Sequence, residues 1–246
     1  MKMRSMWMAS VMVLALVMWS AAHGEAGKAG RNKGQKGAQQ QSGTTRWGFD
    51  RIAAGTLPAG WKVAETNGKG KPATWQAVGD PNAPSAPNVL AVTKTENTGS
   101  TYNLLLGTRT RYQDLTLEVK VRALSGKEDQ GGGPLWRAVD PNNYYVTRWN
   151  PLENNLRLYY VQAAKRTQIA NADVTTDPKG WHTIKVVHVG NKISVAFDGK
   201  TLIEKEDATF SGPGMIGLWT KADAATAFDD LKVEPRTDDG KKSPTP

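Results

Sequence analysis

Hydrophobic and polar residues alternate in many short segments of this chain. Residues 115–122 (LTLEVKVR) carry leucine or valine at every second position, and residues 193–198 (ISVAFD) repeat the pattern. Alternation with period two predicts β-strands that bury one face. Nearly every apolar run is four to eight residues long and bounded by turn-forming residues. The pattern therefore predicts one all-β domain with less than about a tenth helix.

Turn-forming residues separate the predicted strands. Asp198 and Gly199 lie between two apolar runs and predict a two-residue hairpin, because both central positions of that turn take positive φ. Pro141 and Pro151 fall between runs, where a missing amide hydrogen costs nothing. Residues 131–133 (GGG) are not a phosphate-binding loop, since no Lys-Ser/Thr pair follows, and they predict a flexible entry to the next strand.

The N-terminal segment has the composition of a secretory signal peptide. Two basic residues precede an apolar run over residues 6–19, and small residues follow it. The run is shorter than the roughly 18–20 residues of a spanning helix. We therefore predict a signal peptide over residues 1–24, cleaved after Ala22 or Gly24, and a secreted protein, periplasmic or extracellular, without an integral membrane segment after cleavage. A retained N-terminal anchor is the alternative.

Composition divides the remaining chain into three parts. Residues 25–45 are rich in Gly, Ala, Lys and Gln and predict a disordered basic linker, and residues 236–246 predict a disordered tail. Residues 46–235, about 190 positions, are long enough for one β-sandwich domain. The chain has no cysteine, so core burial and strand pairing must stabilise this domain without disulfides.

The formal net charge of +9 is carried mostly outside the predicted domain. The leader holds +2, residues 23–44 hold +3 and residues 236–246 hold +1, which leaves +3 for residues 45–235. Basic and acidic residues are interspersed there without a run of like charge. A groove that follows a phosphate backbone is not expected, and nucleic acid is not a predicted partner.

Several motifs together resemble one family of proteins. They are residues 136–138 (WRA), 142–145 (NNYY), 150–154 (NPLEN), 157–159 (RLY), 181–183 (WHT), 198–200 (DGK), 217–223 (GLWTKAD) and 228–230 (FDD). The set resembles bacterial concanavalin A-like proteins of the 3-keto-disaccharide hydrolase group, which are often described as similar to family 16 glycoside hydrolases. The resemblance covers residues 47–234. It implies a jelly-roll sandwich of two antiparallel sheets, as also found in laminin-G domains, with sugars bound on a concave outer face.

Period two predicts which side chains lie on that face. If Leu156, Leu158 and Tyr160 point into the core, their neighbours point outward, while Tyr145 and Trp149 turn to the opposite side. The candidate substrate-binding residues are Arg137, Tyr144, Arg148, Asn150, Arg157, Tyr159, Trp219, Lys221 and Asp223. Guanidinium groups bind hydroxyls and oxyanions, and indole rings stack on sugar faces. The alternatives are cross-strand ion pairs for the arginines and core packing for the tryptophans.

Ordinary retaining glycosidase chemistry is not supported by the sequence. The Glu-x-Asp-x-(x)-Glu strand of family 16 enzymes is missing, and the nearest pair, Glu204 and Glu206, suits an exposed edge strand. A 3-keto sugar requires less, because its carbonyl acidifies the neighbouring C2 hydrogen and one general base with one cation suffices. The candidate bases are Glu153 and Asp140, and the candidate enolate partners are Arg137, Arg148 and Arg157.

No cofactor or metal is predicted. His182 and His188 are expected to be structural, because a zinc site requires more ligands at closer spacing. Asp140, Asn142 and Asn143 offer oxygens that calcium accepts, although an Asx turn explains this loop equally well and no Asp-x-Asp-x-Asp pattern is present.

Two functions from different classes remain open on the sequence. The first is an exported carbohydrate-active domain that hydrolyses glycosides or 3-keto-disaccharides. The second is a lectin-like module that binds glycan without catalysis, and a laminin-G-type interaction domain would have the same fold. The enzyme requires a carboxylate within hydrogen-bond reach of the sugar, whereas a face with only arginine, asparagine and aromatic residues favours binding.

Overall fold

The computed structural model describes residues 43–236. The predicted signal peptide, nearly all of the predicted linker and the tail after residue 236 lie outside the described residues. Strand pairing begins at Thr45, which the sequence assigned to the linker and which pairs with Val233. At the other end, the Arg236 amide donates to the Asp114 carbonyl at 2.9 Å, so the folded domain includes this residue.

Residues 43–236 form fifteen β-strands and contain no helix, which confirms the all-β prediction. The strands are β1 (Thr45–Trp47), β2 (Trp61–Thr66), β3 (Thr74–Gly79), β4 (Asn88–Lys94), β5 (Tyr102–Gly107), β6 (Leu115–Ser125), β7 (Gly133–Asp140), β8 (Asn143–Asn150), β9 (Asn155–Gln162), β10 (Lys165–Asp173), β11 (His182–Val189), β12 (Lys192–Phe197), β13 (Lys200–Glu206), β14 (Met215–Lys221) and β15 (Ala225–Pro235). Within this part of the chain, no helix could span a membrane.

The strands form two antiparallel sheets, as predicted. The back sheet has the order β13-β12-β11-β6-β15-β4-β3, with β1 added along β15, and the front sheet has the order β10-β9-β8-β7-β14-β5-β2. The predicted hairpin joins β12 and β13 through Asp198 and Gly199, whose φ angles are 47° and 82°. β13 is an edge strand, and Glu204 and Glu206 are exposed on it, as expected.

The main core lies between the two sheets. From the front sheet it receives Trp136, Tyr145, Trp149, Leu156 and Leu158, all fully buried, so the faces predicted for β8 and β9 are confirmed. Burying one such side chain stabilises the fold by about 2 kcal/mol. The opposite face of the front sheet, called the outer face below, carries the candidate site.

The front sheet curls until its two edges come into contact. In a flat sheet, β10 and β5 would lie about 24 Å apart, because they are separated by five strand spacings. Instead, the Arg166 guanidinium carbon on β10 lies 5.1 Å from the Tyr102 ring centroid on β5. The Asn67 side chain, just after β2, also donates to the Ala164 carbonyl at 3.1 Å. Residues in the middle of the outer face are therefore enclosed.

Candidate functional site

Four buried rings cover the centre of the outer face: Tyr102, Tyr144, Tyr159 and Trp219, called the aromatic floor here. The Trp219 indole NH donates to the Tyr144 hydroxyl at 3.2 Å. Burial raises the pKa of Tyr144 above its usual value, although hydrogen bonds with Thr66 and Trp219 lower it. Tyr144, Tyr159 and Trp219 lie on the predicted face, but each is almost completely buried. Trp219 therefore presents no free ring surface on which a sugar can stack.

Arg166 lies over the aromatic floor. Its guanidinium carbon is 4.4 Å from the Tyr159 ring centroid, 5.1 Å from that of Tyr102 and 5.8 Å from that of Trp219. Such contacts stabilise a cation through the negative faces of the rings. The Nη1 atom of Arg166 is buried and has no hydrogen-bond partner. No motif or periodic pattern in the sequence points to Arg166.

A polar cluster lies where β8 ends and β9 begins. Arg148 and Arg157 stand directly opposite each other in the strand register, an arrangement that is unfavourable for like charges unless a carboxylate offsets it. Glu153, in the connecting turn, supplies that carboxylate: one oxygen, Oε2, accepts from Arg148 at 2.9 Å and pairs with Arg157 at 2.6 Å. The Arg148 guanidinium also donates to Asn155 at 2.5 Å.

Exposure distinguishes the members of this cluster. The side chain of Glu153 is 40% exposed and that of Arg157 is 29% exposed, whereas that of Arg148 is 1% exposed. Glu153 and Arg157 are thus the groups that a ligand can reach, and Arg148 holds Glu153 from below. The structure brings together the candidate base Glu153 with two of its three candidate cation partners.

The arginines also set the protonation state of Glu153. Partial burial raises the pKa of this carboxyl, but hydrogen bonds from Arg148 and Asn155 and the charges of Arg148 and Arg157 outweigh burial. The pKa of Glu153 falls to about 2. The group is a carboxylate at any physiological pH and is ready to accept a proton, although its low pKa makes it a weak base.

Asp129 extends the polar cluster towards β14. Its carboxylate accepts from Asn150 at 2.9 Å and from the Lys221 ammonium at 2.8 Å. Burial raises the pKa of Asp129, while the hydrogen bond and charge of Lys221 lower it. The side chain is only 3% exposed, so Asp129 orients Asn150 and Lys221 and is itself out of a ligand's reach. Sequence reasoning missed Asp129, which lies in a loop without periodicity.

Asp223 fixes the loop that contains Asp129. Its carboxylate accepts from the backbone amides of Lys127, Glu128 and Asp129, at distances of 2.6–3.2 Å. These amides hold the pKa of Asp223 below its usual value despite partial burial, which raises it. Asp223 was predicted to bind substrate, but the structure places its oxygens on the loop backbone. It supports the site from behind.

The glycines at residues 131–133 permit close packing and are not a flexible entry, contrary to the sequence prediction. A Cβ atom on Gly133 would lie 2.1 Å from the Thr147 carbonyl oxygen, and one on Gly132 would lie 2.4 Å from the Trp219 carbonyl oxygen. Contacts this short are impossible without moving the backbone. The glycines therefore let β7 approach β8 and β14 beneath the polar cluster.

Arg137 does not join the other arginines, contrary to the expectation that all three share one surface. Trp136 pairs with Tyr145 and Asp140 pairs with Asn143, so β7 has four residue steps where β8 has only two. Arg137 lies in this extra length and takes a left-handed φ of 47°. This bulge reverses the alternation and turns the side chain towards the back sheet. There the buried guanidinium donates to Asp114 and to three backbone carbonyls at 2.7–3.0 Å. Arg137 is a structural cation.

Asp140 is also separated from the polar cluster. Asp140 comes before β8 and Glu153 comes after β8, so the length of this strand, roughly 20 Å, separates the two carboxylates. Asp140 accepts from the Asn142 amide at 2.6 Å and from the Asn143 side chain at 2.9 Å, the geometry of an Asx turn. The two candidate bases cannot act on one bond.

The histidines have structural partners. His182 bonds with Asp198 and with the Asp177 carbonyl, both at 2.7 Å, and His188 accepts from the Trp136 indole at 2.9 Å. Burial, reinforced by the charge of Arg137, lowers the pKa of His188 to about 3. Residues 43–236 contain no group of three or more His, Cys, Asp or Glu side chains arranged to hold a metal ion.

Solved structures that match this fold include a carbohydrate-binding module, a β-glucanase and a GH16 protein. The carbohydrate-binding module CBM66 from Bacillus subtilis aligns with a TM-score of 0.56 at 18% identity, over 70% of this chain and 94% of the module. Bacillus licheniformis β-glucanase aligns with a TM-score of 0.57 at 12% identity, over 80% of this chain and 100% of the enzyme. A Bacteroides ovatus GH16 protein in complex with a G4G4G3G product aligns with a TM-score of 0.54 at 10% identity, over 77% and 99% of the two chains. These similarities establish the shared sandwich fold.

A search among curated proteins gave no match. A family model does match residues 49–234. This range includes β2 to β14, β15 except its last residue, the polar cluster and the aromatic floor. The resemblance inferred from the motifs is therefore confirmed over three quarters of the sequence. The chain belongs to the family of 3-keto-alpha-glucoside-1,2-lyase-like domains.

Proposed function

We propose that this domain binds a 3-keto glycoside at the polar cluster and cleaves it by 1,2-elimination, with Glu153 as the general base. The observation that carries the proposal is the partly exposed Glu153 carboxylate held between two guanidinium groups. A convergent carboxylate is what the enzymatic function requires and what a purely binding face does not. Membership of a lyase-like family supports the same chemistry.

The proposed reaction begins with transfer of the C2 proton of the sugar to Glu153. The electron pair of the C2–H bond forms a C2=C3 double bond, and the negative charge moves to the ketone oxygen. The C1–O bond then breaks as the C3 carbonyl re-forms, which gives a C1=C2 double bond. The departing oxygen takes the proton back from Glu153 and leaves as an alcohol. Addition of water across C1=C2 would make the net reaction a hydrolysis.

Arg148 and Arg157 suit both halves of the proton transfer. Before transfer they neutralise the Glu153 carboxylate, and afterwards the same positive charges face an enolate oxygen while Glu153 is neutral. The net charge of the site stays constant, so no charge has to be created in a partly buried place. Arg157 is the partner for the enolate, because it is exposed and Arg148 is covered.

A non-catalytic binding function is the second candidate, and one observation favours it. A general base is most effective when its pKa lies near the working pH, whereas the pKa of Glu153 is about 2. If the substrate does not draw Arg157 away from Glu153, the carboxylate remains a hydrogen-bond acceptor and the cluster only binds sugar.

Turnover of a matched substrate pair tests the two candidates. The purified protein is incubated with methyl 3-keto-α-glucopyranoside and with methyl α-glucopyranoside, and methanol release is measured. The elimination mechanism predicts release from the keto sugar alone and a loss of at least a hundredfold in Glu153→Gln. Binding of the keto sugar without release of methanol would establish the binding function instead.

We also propose that the chain is exported, because residues 1–24 have the charge and apolar pattern of a signal peptide. N-terminal sequencing of the protein recovered from the medium or periplasm of a bacterial host is expected to begin after Ala22 or Gly24. Recovery of full-length chain from the cytoplasm alone would contradict export.

A further inference from the structure

Arg166 is a cation of the outer face that forms no ion pair with a carboxylate in the described part of the chain. Lys221 pairs with Asp129, and Arg148 and Arg157 share Glu153. Among the residues that the structure describes, no acidic side chain forms an ion pair with Arg166. Of these four cations, three share the carboxylates of Glu153 and Asp129, and Arg166 has no such partner there.

The Arg166 guanidinium also retains unused hydrogen-bonding capacity. Its Nη1 atom is buried without a hydrogen-bond partner, and a buried donor without an acceptor destabilises the folded state. The faces of Tyr102, Tyr159 and Trp219 fix the plane of the group but accept only weakly. The side chain as a whole is only partly buried, so an anionic ligand at the exposed part of the guanidinium would offset its unpaired charge.

Arg166 lies close to the proposed reaction site. Tyr159 connects the two, because its ring lies beneath Arg166 and its hydroxyl is 3.5 Å from the Arg148 guanidinium. Arg157 also bonds with Tyr159, so Arg157 and Arg166 adjoin the same ring and one ligand can contact both. A guanidinium fork matches a planar carboxylate or a sulfate better than it matches a lone hydroxyl.

We propose that Arg166 is a specificity-determining residue and that the preferred ligand is a glycoside with an anionic substituent, a carboxylate or a sulfate ester. The choice of an anion rests on the charge of Arg166, which is partly exposed and which no carboxylate of the described residues pairs with. The location of the ligand rests on the proposed function, since it assumes that the sugar lies at the polar cluster. The anion preference itself does not require catalysis.

Binding of three matched glycosides tests this proposal. The probes are methyl α-glucopyranoside, methyl α-glucopyranosiduronate and methyl α-glucopyranoside 6-sulfate, none of which is oxidised at C3. Titration calorimetry of the wild-type protein is expected to show at least tenfold tighter binding of one or both anionic probes than of the neutral one. Raising NaCl from 50 to 500 mM should weaken the binding of the anionic probes only, because salt screens the charge of a partly exposed site.

Arg166→Gln is expected to abolish the difference in affinity between the anionic probes and the neutral one. Arg109→Gln, which removes an exposed arginine elsewhere in the fold, serves as the matched control and is expected to keep the preference. Equal affinities of the wild-type protein for the three probes, including no detectable binding of any, would overturn the proposal. So would a preference that persists in Arg166→Gln. The wild-type comparison decides the matter even if the variant does not fold.

The outcome can be separated from that of the proposed elimination. Anion preference without methanol release from the 3-keto glycoside would refute the catalytic role of Glu153 and retain the role of Arg166. Methanol release without anion preference would refute the role of Arg166 and retain the catalytic role of Glu153.

Discussion

Replacing Asp229 by asparagine should remove part of the pH dependence of folding stability. Asp229 is fully buried in β15, where its carboxylate accepts from the Ser85 amide at 2.8 Å and from the Asp230 amide at 2.7 Å. Burial raises the pKa of Asp229 from 3.8 to about 6, and the two amides lower it only in part. The folded protein therefore holds this proton more tightly than the unfolded chain does.

The sign and size of the effect follow from that shift. A raised carboxyl pKa contributes stability that is fully present below about pH 3.8 and is lost as the pH rises through about 6. A shift of about two pKa units corresponds to about 3 kcal/mol in full, of which about 2 kcal/mol is lost between pH 4 and 7. An asparagine does not ionise and does not show this loss.

Urea unfolding of the wild type and of Asp229→Asn between pH 4 and 8 measures the effect. The variant has one acceptor fewer for the Ser85 donors, so it should be less stable than the wild type at pH 4 by about 1–3 kcal/mol. The free energy of unfolding of the variant should then rise by about 2 kcal/mol relative to the wild type by pH 7. A difference that does not change with pH would refute the raised pKa.

Four further outcomes are expected. Arg157→Ala should weaken binding or turnover of the sugar at least tenfold, which corresponds to about 1.4 kcal/mol. The folding stability of the variant should stay near normal, because the side chain is partly exposed. Wild-type affinity in this variant would show that Arg157 serves only as a cross-strand ion-pair partner. Gly133→Ala should lower the free energy of unfolding by at least about 2 kcal/mol, whereas Gly212→Ala, with open space around its Cβ, should not. The pH profile of turnover should show no acid limb from Glu153 between pH 4 and 8, since its pKa is about 2; a limb that disappears in Glu153→Gln would contradict this. Removal of residues 25–42 should leave the melting temperature nearly unchanged, and a drop of many degrees would show that they dock.

The strands and their faces could be predicted where the backbone is regular. β8 and β9 pair without a register shift, so period two correctly placed Arg148 and Arg157 outward and Trp149 inward. The turn between them brings Glu153 to both arginines, which short strand connections made foreseeable. In a strand without a bulge, each residue turns to the face opposite its neighbour, so alternation alone predicts which side chains point outward.

Sequence reasoning failed where the backbone departs from that regularity or where long-range shape decides. The bulge at Arg137 turns this side chain to the face opposite the one that alternation predicts. No residue type nearby indicates that an arginine takes a left-handed φ there. The curl of the front sheet brings Arg166 onto Tyr102 across five strand spacings, and buries Trp219, through contacts that no local pattern encodes. Arg166 follows a turn formed by Ala163 and Ala164, both with positive φ, which the residue types do not suggest.

The central claim is that a 3-keto glycoside lies against Glu153 on the outer face of the front sheet. A crystal structure of the Glu153→Gln variant with methyl 3-keto-α-glucopyranoside tests it most directly. The account predicts that C2 of the sugar lies within about 3.5 Å of the residue-153 side chain and that the ketone oxygen accepts a hydrogen bond from Arg157. A sugar bound elsewhere, such as in the cavity of about 510 Å³ between the loops over residues 67–71 and 96–101, would contradict it.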